Sequence, residues 1–127
     1  MELKTMIKEG QLFSVPLNAG TKIYMGNLVI LSSGYATGGA INGTMTVVGI
    51  ADESVDNTGG AQSLKSVLVR RNECYCLPND TTAPVTQALV GKMCYAKNQT
   101  TLTADSTAPA VGKVLEVNSD GIWVYIS

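Results

Sequence analysis

Apolar residues in this chain alternate with polar ones over short stretches and seldom recur at helical spacing. In "QLFSVPL" (residues 11–17) Phe13, Val15 and Leu17 share one face, the period-2 pattern of a half-buried strand. Pro16 has no N–H to give to a ladder, so this strand belongs at a sheet edge or at the start of one. "KIYMGNLVIL" (22–31) reads as strand with a bend or bulge at Gly26-Asn27. "TMTVVGIA" (44–51) reads as a buried strand, and "SLKSVLVRRNECYCL" (63–77) as one long strand interrupted near Asn72. "KMCYAK" (92–97) is a short strand. "VGKVLEVNSDGIWVYI" (111–126) is a hairpin turning through Ser119-Asp120-Gly121.

The segments between are polar and glycine-rich. "SSGYATGGAINGT" (32–44), "DESVDNTGGAQ" (52–62), "PNDTTAP" (78–84) and "NQTTLTADSTAP" (98–109) read as loops. Asn42-Gly43 turns the first of them, and "TTLT" adds one short strand to the last. "VTQALVGK" (85–92) carries the one helical pattern beyond the N-terminus, predicting a short helix over residues 85–90 that Gly91 stops. About seven to nine short strands at ~8–12-residue spacing predict an all-β fold, a single small β-barrel or a jelly-roll-like sandwich. The domain is expected over residues 11–127, preceded by an N-terminal arm of residues 1–10.

Composition narrows the partners. A chain of 127 residues is one domain by length. Charged residues make up 15%, against ~25% in typical soluble domains. Thr, Ser, Asn and Gly stand in their place, which suits a turn-rich β-protein and a surface partly covered by partners. Nine basic residues face ten acidic ones. The only adjacent basic pair, Arg70-Arg71, points to opposite faces of a strand. A nucleic-acid binder carries a basic stripe; none is visible, and no direct nucleic-acid contact is expected. "MELKTMIKEG" lacks the ~7–15-residue apolar stretch of a secretory signal, and no run approaches the ~20 apolar residues of a membrane span. With an odd cysteine count, these features lead to the expectation of a protein folded in a cytoplasm without membrane contact.

The candidate chemistry is sparse. The chain has no histidine, so it lacks the commonest general base and transition-metal ligand. "RRNECYC" (70–76) holds Cys74 and Cys76 one residue apart. On a strand these two share a face with Leu68, Arg70 and Asn72, while Val67, Val69 and Tyr75 share the other. Their Cβ atoms are too far apart for a disulfide. Zinc would need four ligands, and Cys94 is the only further thiol. A nucleophilic thiol would need a base. The cysteines therefore read as small apolar residues packed in a strand. Asp52, Glu53 and Asp56 cluster without the spacing of a calcium loop. "GTMTVVG" lacks the lysine and helix of a phosphate loop. A serine–lysine pair drawn from Ser32, Ser33 or Ser54 with Lys65 or Lys92 remains formal. Trp123 reads as core or interface before sugar platform. The expectation is a non-enzymatic protein with no catalytic, cofactor-binding or metal-binding residues.

The second half of the chain carries a resemblance. "TAPVTQALVGKMCYAKNQTTLTADSTAPAVGKVLEVNSDGIWVYI" (82–126) resembles the C-terminal part of bacteriophage capsid cement, or head decoration, proteins. Thr86, Val90, Gly91, Lys92, Tyr95 and Leu102 match the family's first segment. Gly112, Val114, Val117, Asp120, Gly121, Trp123, Val124 and Ile126 match its ending. "GNLVILSSGYATGGA" and "VVGIADESVDNTGG" extend the likeness, so that it covers roughly residues 20–126. The cysteines are not part of it.

The resemblance implies a β-rich virion protein, made in a bacterial host, that binds the outer face of an assembled head across junctions of the major capsid protein. It implies self-association as a dimer or trimer, and stabilisation by binding the lattice and not its dissociated parts. In the arm, Leu3, Met6 and Ile7 lie at helical spacing in a segment too short for a stable isolated helix. The arm is expected to order on the capsid or a neighbouring copy, by adding a strand to a sheet edge. Phe13 joins these three as a candidate contact, and loops 32–44 and 52–62 are further ones. A phage tail or fibre β-module is one alternative. A small β-barrel binding nucleic acid or carbohydrate is another, for which Tyr24, Tyr35, Tyr75, Tyr95 and Trp123 supply aromatics without a basic groove.

Overall fold

A computed structural model describes residues 1–2 and 10–127. The described residues hold twelve strands: β1 (Leu12–Pro16), β2 (Lys22–Ile23), β3 (Leu28–Ser32), β4 (Tyr35–Thr37), β5 (Thr46–Ala51), β6 (Val55–Asp56), β7 (Ser66–Arg70), β8 (Glu73–Leu77), β9 (Met93–Ala96), β10 (Leu102–Thr103), β11 (Ala110–Asn118) and β12 (Gly121–Ile126). The fold is all-β. One five-stranded sheet runs β1-β7-β5-β3-β4, a second runs β10-β9-β11-β12-β8, and β2 with β6 forms a two-stranded ribbon. Pairing within the sheets is antiparallel throughout. Both five-stranded sheets are open, so the architecture is a β-sandwich rather than a closed barrel. The first sheet curls enough that its outer strands approach at one parallel bridge, Leu17 to Ala36.

Strand β3 explains the uninterrupted "LVIL". Leu28 and Ile30 enter one core cluster, packed against Leu102, Val114, Ile122 and Val124 of the second sheet. Val29 enters a different cluster with Val15, Leu17, Val67 and Val69, closed by Ile23 of the ribbon. Leu28, Val29 and Ile30 are all fully buried. A strand covered on both faces reads as continuous apolar sequence, not as alternation. Its neighbour β5 keeps both faces in phase by a bulge: Val29 pairs with Gly49 but Ile30 with Val47. A Cβ on Gly49 would lie 2.5 Å from the Arg70 carbonyl oxygen and 2.7 Å from Val69 Cγ1, so the bulge needs glycine.

Four expectations are corrected. The strand count exceeds the predicted seven to nine because the stretch 22–31 divides into β2 and β3 around the expected bend, and β4 and β6, of three and two residues, lie in segments read as loop, while β10 is the short strand expected in "TTLT". Strand β4 lies inside a segment read as loop. Ser33 and Gly34 both take positive φ, 51° and 89°, and close a tight hairpin between β3 and β4. The long strand over 63–77 is two strands in different sheets, separated at Arg71-Asn72, where Asn72 has φ 63°. Its N–H donates to the Ile126 carbonyl at 2.6 Å. The short helix near 85–90 is a single 3-10 turn, Gln87–Leu89, with no capping side chain. Pro16 sits as expected, in a strand at the edge of its sheet.

Candidate functional site

The inner and outer faces of the second sheet differ sharply. Inward, Val114, Ile122, Val124 and Ile126 are buried in the inter-sheet core. Outward, the register sets side chains in two rows across the strands. One row runs Met93, Lys113, Tyr125, Cys74; the next runs Glu116, Trp123, Cys76. A bulge between Val114 and Glu116 pushes Leu115 out between the rows. Met93 is 46% exposed, Leu115 43%, Tyr125 38% and Trp123 37%. Among the described residues, no other sheet face gathers as many large exposed apolar side chains. Cys74 and Cys76 are exposed on the same face. This corrects the sequence-based expectation that they pack inside. Alternation put them on one side of the strand; the strand's place in the fold makes that side the outer one.

The remaining candidates separate. Leu3, Met6 and Ile7 lie outside the described residues. Phe13 is half-buried, packs on the second core cluster and has the Arg71 guanidinium 4.8 Å over its ring. Beside it, Arg71 Nε donates to the Gly10 carbonyl and Gln11 donates to Glu73. The three acids of the polar loop turn to different partners. Asp52 pairs with Arg70 at 3.1 Å, Glu53 accepts from the Leu68 N–H at 3.2 Å, and Asp56 accepts from the Thr58 N–H at 2.9 Å. Ser54 Oγ accepts from the Met25 N–H, and Lys65 donates to the Asp56 carbonyl. Among the described residues no three His, Cys, Asp or Glu side chains gather as a metal set. Cys94 is buried, and that burial pushes its thiol up to about 11.

Sequence reading missed Asp80. Its carboxylate is buried and accepts from Lys97 Nζ at 2.6 Å, the Thr82 and Ala83 N–H groups at 3.1 Å each, and Thr103 Oγ1 at 2.9 Å. The Lys97 ammonium, then the Thr82 N–H, hold this carboxyl well below the usual carboxylate range. Asp80 thereby ties the 78–84 turn to β9's end and to β10. It also lines an open depression of about 460 Å³ with Ile41, Asn42 and Asp105. Its oxygens are already committed, and Asp105 accepts from the Thr107 N–H and hydroxyl. This depression is therefore braced from within, and the outer face of the second sheet remains the better candidate site. The sequence signal was the Asx-turn pattern of "NDTT"; its distant partners Lys97 and Thr103 left no trace.

No protein-family model, curated protein sequence or solved structure matches this chain, so the assignment rests on its own residues.

Proposed function

We propose that this protein is a non-enzymatic structural module of a phage virion, which binds the outer surface of an assembled head and stabilises it. The observation that carries the reading is the outer face of the second sheet, where Met93, Leu115, Trp123 and Tyr125 stand exposed together. Tyr, Trp and Met are enriched at protein interfaces, and a cluster of apolar groups on one rigid face marks a protein contact more than a catalytic cleft. The resemblance over residues 20–126 supplies the kind of partner: the major capsid protein of the same phage. The arm, rooted at Gly10 beside Arg71, is the segment proposed to reach the shell.

Such a protein acts by linkage. A module that binds the assembled lattice and not free subunits stabilises the lattice by mass action, and many modest contacts on one shell add up. The test is co-sedimentation with the capsid protein encoded alongside it. The proposal expects saturable binding to expanded shells at a fixed ratio per subunit and none to free subunits. Equal binding to both, or to neither, sinks it.

A further inference from the structure

A second surface gathers around Tyr24. Two depressions, of about 300 Å³ and about 520 Å³, share Lys22, Tyr24 and Gly38 in their walls. We propose that this surface binds a short neutral oligosaccharide, one pyranose stacking on Tyr24 and its neighbours extending into the depressions. The inference does not rest on the head reading.

Tyr24 is held out by what flanks it. Ile23 and Leu28 are buried in different core clusters, and the chain between them turns. Gly26 takes φ 86°, which the third position of such a turn asks of glycine. The Asn27 N–H donates to the Tyr24 carbonyl at 3.1 Å, and the Gly26 N–H to the Ala51 carbonyl at 2.9 Å. The turn fixes the backbone under a side chain that is 53% exposed. The Lys22 ammonium sits 5.1 Å from the ring centroid and restrains the ring. The facing loops are tied to the same place. The Leu28 N–H donates to the Gln99 carbonyl at 2.7 Å, and Gln99 Nε2 donates to the Gly39 carbonyl at 2.8 Å. Loops 24–27, 37–39 and 98–100 are thereby braced together. The surface is formed before a ligand arrives, as small-molecule sites usually are.

The lining selects the ligand. Asn18, Thr21, Asn27, Asn98, Gln99 and Thr100 bring amides and hydroxyls to the two depressions, groups that both donate and accept. Asn98 commits its Oδ1 to the Thr100 N–H and hydroxyl; its Nδ2 meets no acceptor among the described residues. Lys22 is the only charged residue in either lining among the described residues. It pairs with Asp56 across the β2–β6 ribbon, which offsets its charge. A phosphate chain calls for several cations, and an apolar ligand for an apolar lining. A pyranose matches what is there. It has vicinal hydroxyls for the amides and a face of C–H groups for the tyrosine ring. The depressions are open, so little of the sugar is buried and the expected dissociation constant is on the order of 1 mM.

An amide-resolved NMR titration of the labelled full-length chain tests this. The probes are lactose, maltotriose and N,N′-diacetylchitobiose, with glucuronate as the acidic comparison, each taken to on the order of 10 mM. At least one neutral sugar is expected to give saturable shifts confined to residues 18–28, 37–39 and 98–100. Tyr24→Ala should weaken that sugar about tenfold and Tyr24→Phe less than about twofold. Met25→Ala removes an exposed neighbour that lines neither depression, and should leave binding unchanged. All three substitutions are on the surface, so the melting temperature should stay close to the parent's. The sugar that binds identifies the source: diacetylchitobiose a wall polymer of N-acetylhexosamine, lactose a secreted glycan, maltotriose a storage glucan. No saturable shift with any of the three, shifts outside these loops, tighter binding of glucuronate, or a Tyr24→Ala chain that binds as the parent does overturns the proposal. No shell is present here, and shell co-sedimentation needs no sugar, so either reading can fail while the other stands.

Discussion

Strand β3 gives the sharpest test of the two-core arrangement, because adjacent residues on it serve opposite cores. Val29 and Ile30 are each fully buried, one in each cluster. Ile30→Ala removes a fully buried side chain from the inter-sheet core and is expected to cost about 3–4 kcal/mol, within the ~2–5 kcal/mol spread for such truncations. Val29→Ala removes two methyl groups from the other core and is expected to cost about 2–3 kcal/mol from lost transfer energy plus the residual cavity. At this chain length each kcal/mol lowers Tm by ~3–5 °C, so the two variants should melt roughly 10–20 °C and 6–15 °C below the parent. Both sit on one strand beside the β5 bulge, so the departure of the double variant from the sum of the singles reads the coupling carried by the β3 backbone. Leu68→Ala, on the outer side of β7, is the control and should cost under ~1 kcal/mol. Urea titration followed by far-UV circular dichroism measures all four. A Val29→Ala variant within ~0.5 kcal/mol of the parent, at unchanged m-value, would mean that β3 has an unpacked face, and the two-core account would fail.

Three further outcomes are expected. Asp80 is held ionised well below its ordinary value of 3.8, so its contribution to stability is fully present above that pH and is lost as pH falls towards the lower folded value. Asp80→Asn should therefore be less stable than the parent at pH 7, by a gap that narrows in denaturant titrations below pH 4; a pH-independent gap contradicts the ionised role. An aromatic disulfide reagent should modify Cys74 and Cys76 promptly in the native protein and Cys94 only on unfolding, given their exposure and its burial; a fast third thiol would refute the placement of Cys94. Deleting residues 1–10 should leave the melting temperature within a few degrees of the parent, because among the described residues the first core positions are Phe13 and Val15, while weakening shell binding; undiminished binding by the truncated chain would remove the arm from the contact.

Strands with several alternating positions were legible in the sequence. The edge strand with Pro16 and the closing hairpin around Asp120 announce themselves by period and turn chemistry. Two- and three-residue strands such as β4 and β6 do not, since so short a run carries no period. The change of sheet at Arg71-Asn72 was only half visible. Val67 and Val69 face the second cluster, and Tyr75 and Leu77 face the first. Odd positions stay inward through the corner, so the alternation never breaks, and only the positive φ of Asn72 marks the turn. For Cys74 and Cys76, alternation gave the shared face but not its environment, which the sheet's outward side decides. Asp80 was illegible as a hub because its partners lie up to 23 residues away.

The central claim is that this protein stabilises an assembled shell by binding it in preference to free subunits. Scanning calorimetry of expanded shells, with increasing amounts of this protein, tests it most directly. The account predicts a shell transition that climbs with free protein concentration as RT ln(1 + [L]/Kd) per site, and a smaller climb for the chain lacking residues 1–10. A shell transition that stays fixed at saturating protein would contradict it.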